Sequence, residues 1–294
     1  MRAAALDLGH LRPEMRQPAL GTDEARIRRI RSDRFVPFHR AVEGLALFEE
    51  LLAYPERTCM PNCLVHADAG MGKTMLAEKF RRDHPAGFDE ARGITVTPVL
   101  YVQMPPAPDE GRFYAQLLAG VGAPLEPRAT IAHKEALALR LLPQLKPGML
   151  MIDEVHHLLS GSHRQQRQAL NLIKFLGNEL RVPIVALGTQ DALQAIRTDA
   201  QVESRFWTFD VPRWREDHAF RSLLATIASA LPLRRPSELH EPTAVRLLLA
   251  HTGGVTRDIF RIIVRAAETA VRTGTERIDA GLIEESARAE RRAR

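Results

Sequence analysis

Three groups of residues in this 294-residue chain have the types and spacing to do chemistry. The first is Ala67-Asp68-Ala69-Gly70-Met71-Gly72-Lys73-Thr74, which follows the apolar run Cys63-Leu64-Val65 and leads into a helix-prone segment. A glycine loop between a strand and a helix aims backbone N–H groups at a phosphate chain, and the helix N-terminus adds the positive end of its dipole. In this pattern Ala69, Gly70, Met71, Gly72, Lys73, Thr74 and Met75 line a nucleotide, Lys73 reaches the β- and γ-phosphates, and the Thr74 hydroxyl holds Mg²⁺. The usual pattern is G-x-x-x-x-G-K-[ST], and its first position here is Ala67. That position lies at the strand exit, away from the phosphates, where a small residue suffices. Gly70 and Gly72, where the backbone must bend tightly, are both present.

The second group is Asp153-Glu154, at the end of the apolar run Met149-Leu150-Met151-Ile152. A strand of this kind is expected beside the phosphate-loop strand, with Asp153 binding Mg²⁺ through water and Glu154 polarising the attacking water. The plainer reading is a strand end with a solvated acidic pair.

The third group is dispersed. Thr189 follows the run Ile184-Val185-Ala186-Leu187-Gly188, where a polar residue would touch the γ-phosphate or the lytic water. Gln190 is the alternative, and an ordinary turn is the plainer reading. Arg205 precedes a last core strand, the position of an arginine finger that completes the site of a neighbouring subunit. Arg257 opens a helix after Gly253-Gly254, from which a lid arginine reaches the γ-phosphate. Both could instead be surface arginines. His156 and His157 suggest a metal site, but one on each side of a helix start makes a poor ligand pair, and packing or hydrogen bonding is expected. Cys59 and Cys63 lack the second pair that a zinc site needs. Trp207 and Trp214 are expected in the core or at a subdomain junction.

The elements that would position these groups alternate. Strands are expected at Asn62 to His66, Thr95 to Met104, Met149 to Ile152, Ile184 to Leu187 and Phe206 to Val211. Helices are expected at His39 to Leu52, after the loop, and at Arg112 to Val121, Ala132 to Leu142, Gln165 to Leu180 and Asp191 to Arg197. Continuous apolar runs mark strands buried on both faces of a parallel sheet. Beyond Pro212 only helices follow: Asp217 to Leu231, Pro242 to His251, Val255 to Arg272 and Ala280 to Arg291. The pattern predicts an α/β fold, a parallel sheet flanked by helices with a C-terminal all-helical lid. The expected divisions are 1–36, a partly disordered, Arg-rich arm; 37–212, the nucleotide-binding α/β domain; and 213–294, the helical lid. Residues 1 to about 20 look irregular.

Composition narrows the class. A hydrophobic content of 45% suits a chain with a sizeable core. No apolar stretch is long enough to span a membrane, and the N-terminus lacks the apolar stretch of a secretion signal. A reducing, cytoplasmic setting is expected. The net charge of +5, mostly from arginine, has two readings: GC-rich codons, or contact with a polyanion such as DNA.

Together these elements resemble the AAA+ superfamily. More closely, the segments RIRRIRSDRFVPFHRA, NCLVHADAGMGKT, LMIDEVHHLLSGSHRQQRQALNLIKFLGNELRVPIVALGT and ESRF resemble the TniB/TnsC family of DNA-transposition ATPases over roughly residues 22–265. Asp153 to Gly188 is the most specific part. Many relatives carry Gly where Ala67 stands, a departure that bears on hydrolysis rate more than on nucleotide binding. The resemblance implies a bacterial P-loop ATPase that uses ATP and Mg²⁺ and assembles as a ring or helical filament on double-stranded DNA. It implies recruitment of a DDE transposase (TniA/TnsB-like) and of a TniQ-like target-selection protein, with release on hydrolysis. Lys73, Thr74, Asp153, Glu154, Thr189, Arg205 and Arg257 occupy its motif positions. Arg112, Arg164, Arg167 and Lys174 are candidates for gripping the DNA backbone, which would give salt-sensitive, weakly sequence-dependent binding. The Arg26 to Arg34 segment could instead dock on a neighbouring subunit or the transposase. The alternatives are a helicase loader or replication initiator, which usually carries an appended winged helix, a nucleotide-gated scaffold with little turnover, and a small-molecule phosphotransferase.

Overall fold

The computed structural model describes residues 7–292 other than 92, 127 and 199. In chain order the helices α1 (Pro13–Ala19), α2 (Asp23–Arg31) and α3 (His39–Leu52) precede β1 (Asn62–His66) and α4 (Lys73–Asp83). Next come β2 (Gly87–Asp89), β3 (Ile94–Val96), β4 (Val99–Gln103), α5 (Glu110–Gly120), α6 (Ile131–Leu141) and β5 (Met149–Asp153). Then follow α7 (His163–Leu180), β6 (Ile184–Gly188), α8 (Gln190–Arg197), α9 (Ala200–Glu203) and β7 (Phe206–Asp210). The chain ends in α10 (His218–Ser229), α11 (Pro242–Thr252), α12 (Thr256–Thr273) and α13 (Ala280–Arg292). Two compact units result: residues 40–212, and residues 1–39 together with 213–294.

In the first unit five parallel strands form a sheet in the order β4-β5-β6-β1-β7. The strands β1, β5 and β6 are buried along their whole length, as apolar runs covered by helices on both faces must be. The main core joins Leu64, Leu100, Leu150, Ile152, Ile184 and Ala186 from the sheet to Phe113 and Leu117 of α5 and Leu170, Ile173 and Leu176 of α7. Ser162 and Gln165 close a reciprocal capping box that starts α7, so the helix begins two residues earlier than expected.

Two expectations about this sheet need correction. The acidic strand β5 is not beside the phosphate-loop strand; β6 lies between them. Gly188 at the end of β6 makes the close packing there possible. A Cβ at that position would stand 2.5 Å from Ala192 Cβ and 3.3 Å from the His156 backbone nitrogen. The strand expected from Thr95 to Met104 is also two strands. Pro98 has no N–H for a ladder, and its carbonyl instead accepts from Gly148 N (2.8 Å) and Met149 N (3.0 Å). The segment before it, β3, pairs with β2 as a separate antiparallel ribbon.

The second unit gathers α1, α2 and α10–α13. Ile27 and Ile30 of α2 pack with Phe220, Leu224, Leu248, Ile259, Ile263 and Ile283 of the C-terminal helices. Arg26 is fully buried: its guanidinium pairs with both carboxylate oxygens of Glu276, and its Nε donates to Pro232 O at 3.0 Å. Arg31 forms a two-point contact with Glu268, and Arg34 donates to Ala230 O. Arg26 and Arg34 are thus engaged within their own unit, whereas Arg28, Arg29 and Arg31 remain exposed. The region expected to be irregular carries α1, anchored where Arg12 N donates to Ser229 O at 3.0 Å; residues 1–6 lie outside the described ones. In the second unit Trp214 packs against Phe38 and Phe220. Trp207, on β7 of the first, is 43% exposed and is not a core residue.

Candidate nucleotide site

The phosphate loop leaves β1 at Ala67, which is fully buried and donates its N–H to Gly188 O at 3.2 Å. Ala67 is not among the residues with a left-handed backbone, whereas Gly70 (φ 82°) and Gly72 (φ 92°) are. Alanine therefore fits the first motif position without strain, and glycine is present where φ requires it. Gly72 caps α4, and a Cβ on it would meet nothing within 4 Å, so the space over the loop is open.

Lys73 is 8% exposed, and its Nζ donates to the carbonyls of Ala67 and Asp68, both at 3.1 Å. Burial pulls the ammonium below its ordinary pKa, and the carboxylates of Glu154, Asp153 and Asp68 act against that pull. Asp153 is 2% exposed. Its Oδ2 accepts from Thr74 Oγ1 (2.7 Å) and from the Tyr101 hydroxyl (3.0 Å), and its Oδ1 accepts from Glu154 N (2.8 Å). The side chains of Thr74 and Asp153 thus meet across the width of β6. A hydroxyl and a carboxylate at one point are hard oxygen donors, and this set fits Mg²⁺.

No motif in the sequence marks Tyr101. It sits at an alternate position of the short apolar strand β4, where nothing but register against β5 aims it at Asp153. Burial, then the charge of Asp153, raises its phenol above its ordinary pKa, so it remains a donor. The guanidinium of Arg81 stands 4.6 Å from its ring centroid.

Glu154 has a left-handed backbone (φ 57°) and leads into a 3-10 turn, Val155–Ser160. Its Oε2 lies 3.1 Å from His156 Nδ1. The pair is close but not aligned for a hydrogen bond, which leaves that buried nitrogen without a partner. Burial lowers the His156 pKa, and the nearby Glu154 carboxylate only partly offsets this. The expectation that His156 and His157 point apart does not hold: their ring centroids are 4.6 Å apart.

Thr189 and Gln190 follow β6, the strand between β5 and β1. Thr189 Oγ1 donates to Asp191 Oδ2 at 3.4 Å, and Gln190 Oε1 lies 3.0 Å from His66 Nδ1 at the end of β1. Arg205 lies at the other end of the sheet. Its carbonyl accepts from Asn62 N at the start of β1, and its guanidinium donates to Asn178 Oδ1 at 3.2 Å. The length of β1, about 16 Å, separates it from the phosphate loop of its own chain. Arg257 belongs to the other compact unit, in the first turn of α12, with Nε 3.7 Å from Asp258 Oδ1.

The four candidates for DNA contact do not form one group. Arg112 is in the first turn of α5 and Arg164 in that of α7, and both are exposed, as is Arg167 one turn on. The loops leading into these two helices touch, with Ser160 Oγ donating to Pro106 O at 2.6 Å. Lys174 lies farther along α7 and lines a small cavity with Asn178 and Arg205 at the far end of the sheet.

A model of the bacterial TniB protein matches residues 26–216, about two thirds of the chain. This chain belongs to the TniB family. No curated protein matches it. Among solved structures, this TniB-family chain is similar to the ORC1 protein of Aeropyrum pernix in complex with DNA, at 22% identity and a TM-score of 0.65, covering 90% of this chain and 69% of that one. It is also similar to Cdc6p of Pyrobaculum aerophilum, at 16% identity and a TM-score of 0.63 over 87% of this chain and 69% of that one. A third similar structure is the Thermotoga maritima RuvB Holliday junction branch migration motor, at 15% identity and a TM-score of 0.53 over 89% and 73%. The TniB-family fold is accordingly that of the AAA+ ATPases, a P-loop α/β sheet with a C-terminal set of helices. No helix among the described residues is long and apolar enough to cross a membrane.

Proposed function

We propose that this TniB-family protein is an ATPase that binds duplex DNA and regulates transposition. With ATP bound, subunits assemble as a ring or helical filament on target DNA, where they recruit and activate a TniA/TnsB-like DDE transposase and accept a TniQ-like target-selection protein. Hydrolysis releases the assembly and so limits where insertion occurs. The observation that carries this reading is the 2.7 Å bond between Thr74 and Asp153, which brings the phosphate loop and the acidic strand end to one point. The family assignment supplies the setting, and the DNA complex of the similar ORC1 structure favours a DNA partner.

The residues divide the work. Backbone N–H groups from Ala69 to Met75 hold the phosphates, and Lys73 exchanges the carbonyls of Ala67 and Asp68 for phosphate oxygens. Thr74 and Asp153 hold Mg²⁺, which when bound neutralises developing phosphate charge. Glu154 takes the proton of the attacking water. Thr189 orients that water or the γ-phosphate. Arg205 acts on the nucleotide of a neighbouring subunit, and Arg257 acts from the helical unit. Arg112, Arg164, Arg167 and Lys174 grip DNA phosphates.

The test is negative-stain imaging of the protein with duplex DNA, with and without a non-hydrolysable ATP analogue. Nucleotide-dependent rings or filaments on DNA are expected. A monomer indifferent to DNA and nucleotide overturns the reading.

A further inference from the structure

The segment after Asp153 brings beside Glu154 two histidines that the proposed nucleotide chemistry does not use. The left-handed backbone of Glu154 and the 3-10 turn behind it fold two adjacent histidines back toward the Glu154 carboxylate. One oxygen of Glu154 and one nitrogen each of His156 and His157 lie within 4.8 Å of one another. We propose that Glu154, His156 and His157 form a binding site for a divalent transition metal of the zinc type, and that metal bound there withdraws Glu154 from water activation and stops ATP turnover. The second half rests on Glu154 being the base in the proposed function; the first half does not.

Four observations support the site. First, His156 Nδ1 faces Glu154 Oε2 at 3.1 Å with no hydrogen-bond alignment, and the nitrogen is buried without a partner. A cation held between the nitrogen and the carboxylate oxygen would give that buried nitrogen the partner it lacks. Second, His157 Nδ1 pairs with Met104 O at 3.1 Å. That bond places the proton on Nδ1 and leaves Nε2 with its lone pair, the arrangement by which a carbonyl orients a metal-bound imidazole. Third, donor atoms around tetrahedral zinc stand about 3.3 Å apart. The Glu154–His156 pair already has that spacing, and side-chain rotation can close the rest. Fourth, His156 and Glu154 are partly exposed, which gives an ion a way in and leaves room for water as a further ligand. The other charges near His156 are Lys73 and Asp191, one of each sign.

Ligand type separates this site from the one beside it. Thr74 and Asp153 offer only oxygen, which suits Mg²⁺, whereas two imidazoles and a carboxylate suit zinc and its neighbours. The nucleotide's own cation therefore does not compete well for the histidines.

The test uses the full chain carrying Cys59→Ser, which removes the exposed thiol as a rival ligand. Calorimetric titration with ZnCl₂ at saturating Mg²⁺ is expected to show one zinc per chain. The affinity should weaken about tenfold or more in both His156→Ala and His157→Ala, and thermal melting checks that the variants are folded. In ATPase assays zinc should inhibit the parent at the concentrations that fill the site, and each histidine variant should need about tenfold more zinc for the same inhibition. No zinc binding by the parent, or equal binding by folded variants, overturns the site. Site-specific binding without inhibition overturns only the coupling to Glu154. If the protein never hydrolyses ATP, the proposed function fails and the calorimetric result still decides the metal site.

Discussion

At the scale of single residues, Asp153 is the hub. Its two oxygens receive Thr74, Tyr101 and the Glu154 backbone, so it is held in place before any nucleotide arrives. Glu154→Gln keeps the shape and removes the base. Nucleotide binding should persist while phosphate release falls by a factor of about 10² to 10⁴. Tyr101→Phe removes one donor from a buried carboxylate. It should cost about 1.5–3 kcal/mol in denaturant unfolding and raise the Mg²⁺ concentration needed for half-maximal turnover. Ala67→Gly bears on the motif's departure. Because Ala67 already has an unstrained backbone, nucleotide affinity should change little, while stability falls by about 0.5–1 kcal/mol from added unfolded-state freedom. A large gain in affinity on fluorescent-nucleotide titration would contradict an unstrained Ala67. The sequence disclosed Lys73, Thr74, Asp153 and Glu154 because phosphate chemistry demands those types at that spacing. It did not disclose Tyr101, His66 or the closeness of His156 to Glu154, because each depends on strand register or on one left-handed residue.

At the scale of elements, close approaches at two glycines set the geometry. Gly188 lets α8 and the turn after β5 crowd the end of β6, and Gly254 lets the chain pass Trp214, where a Cβ would stand 2.2 Å from the Trp214 carbonyl oxygen. Gly188→Ala should destabilise by about 1–3 kcal/mol and slow ATP turnover by disturbing the Thr74–Asp153 contact. Most helices were legible from apolar spacing, and the buried strands from their unbroken apolar runs. The order of the strands was not legible, because β5 up to Asp153 and β6 are both apolar and neither composition says which lies next to β1. The Arg26–Glu276 pair, which ties α2 to the loop before α13, predicts a pH response. Burial pushes Glu276 upward, but hydrogen bonds from Arg26 and from the Arg234 backbone outweigh it, so its pKa in the folded protein lies below the ordinary 4.5. That stabilisation is complete above the unfolded value and is lost as pH falls through the folded one. Acid melting of Glu276→Gln should therefore be flatter below about pH 4.5 than that of the parent, and the variant should be less stable at neutral pH because the buried Arg26 keeps only the more exposed Asp23 as a charged partner.

At the scale of the whole molecule, the role proposed for Arg205 requires assembly. Arg205 and the phosphate loop lie at opposite ends of β1, so in one chain the arginine cannot reach the nucleotide. A Lys73→Ala variant can still lend its arginine, and an Arg205→Ala variant can still bind ATP. Each alone should be inactive, and an equal mixture should recover about a quarter of the parental rate if subunits join head to tail at random. No recovery in co-assembled mixtures would argue against a shared site. The division of the chain has a further consequence, for biosynthesis. Helix α2 is translated before residues 40–212, but the helices that cover Ile27 and Ile30 only after them. At ordinary elongation rates that delay is on the order of ten seconds or more. The inserted α/β unit can thus finish folding while its host is still half-made, with the apolar side of α2 exposed to chaperones throughout.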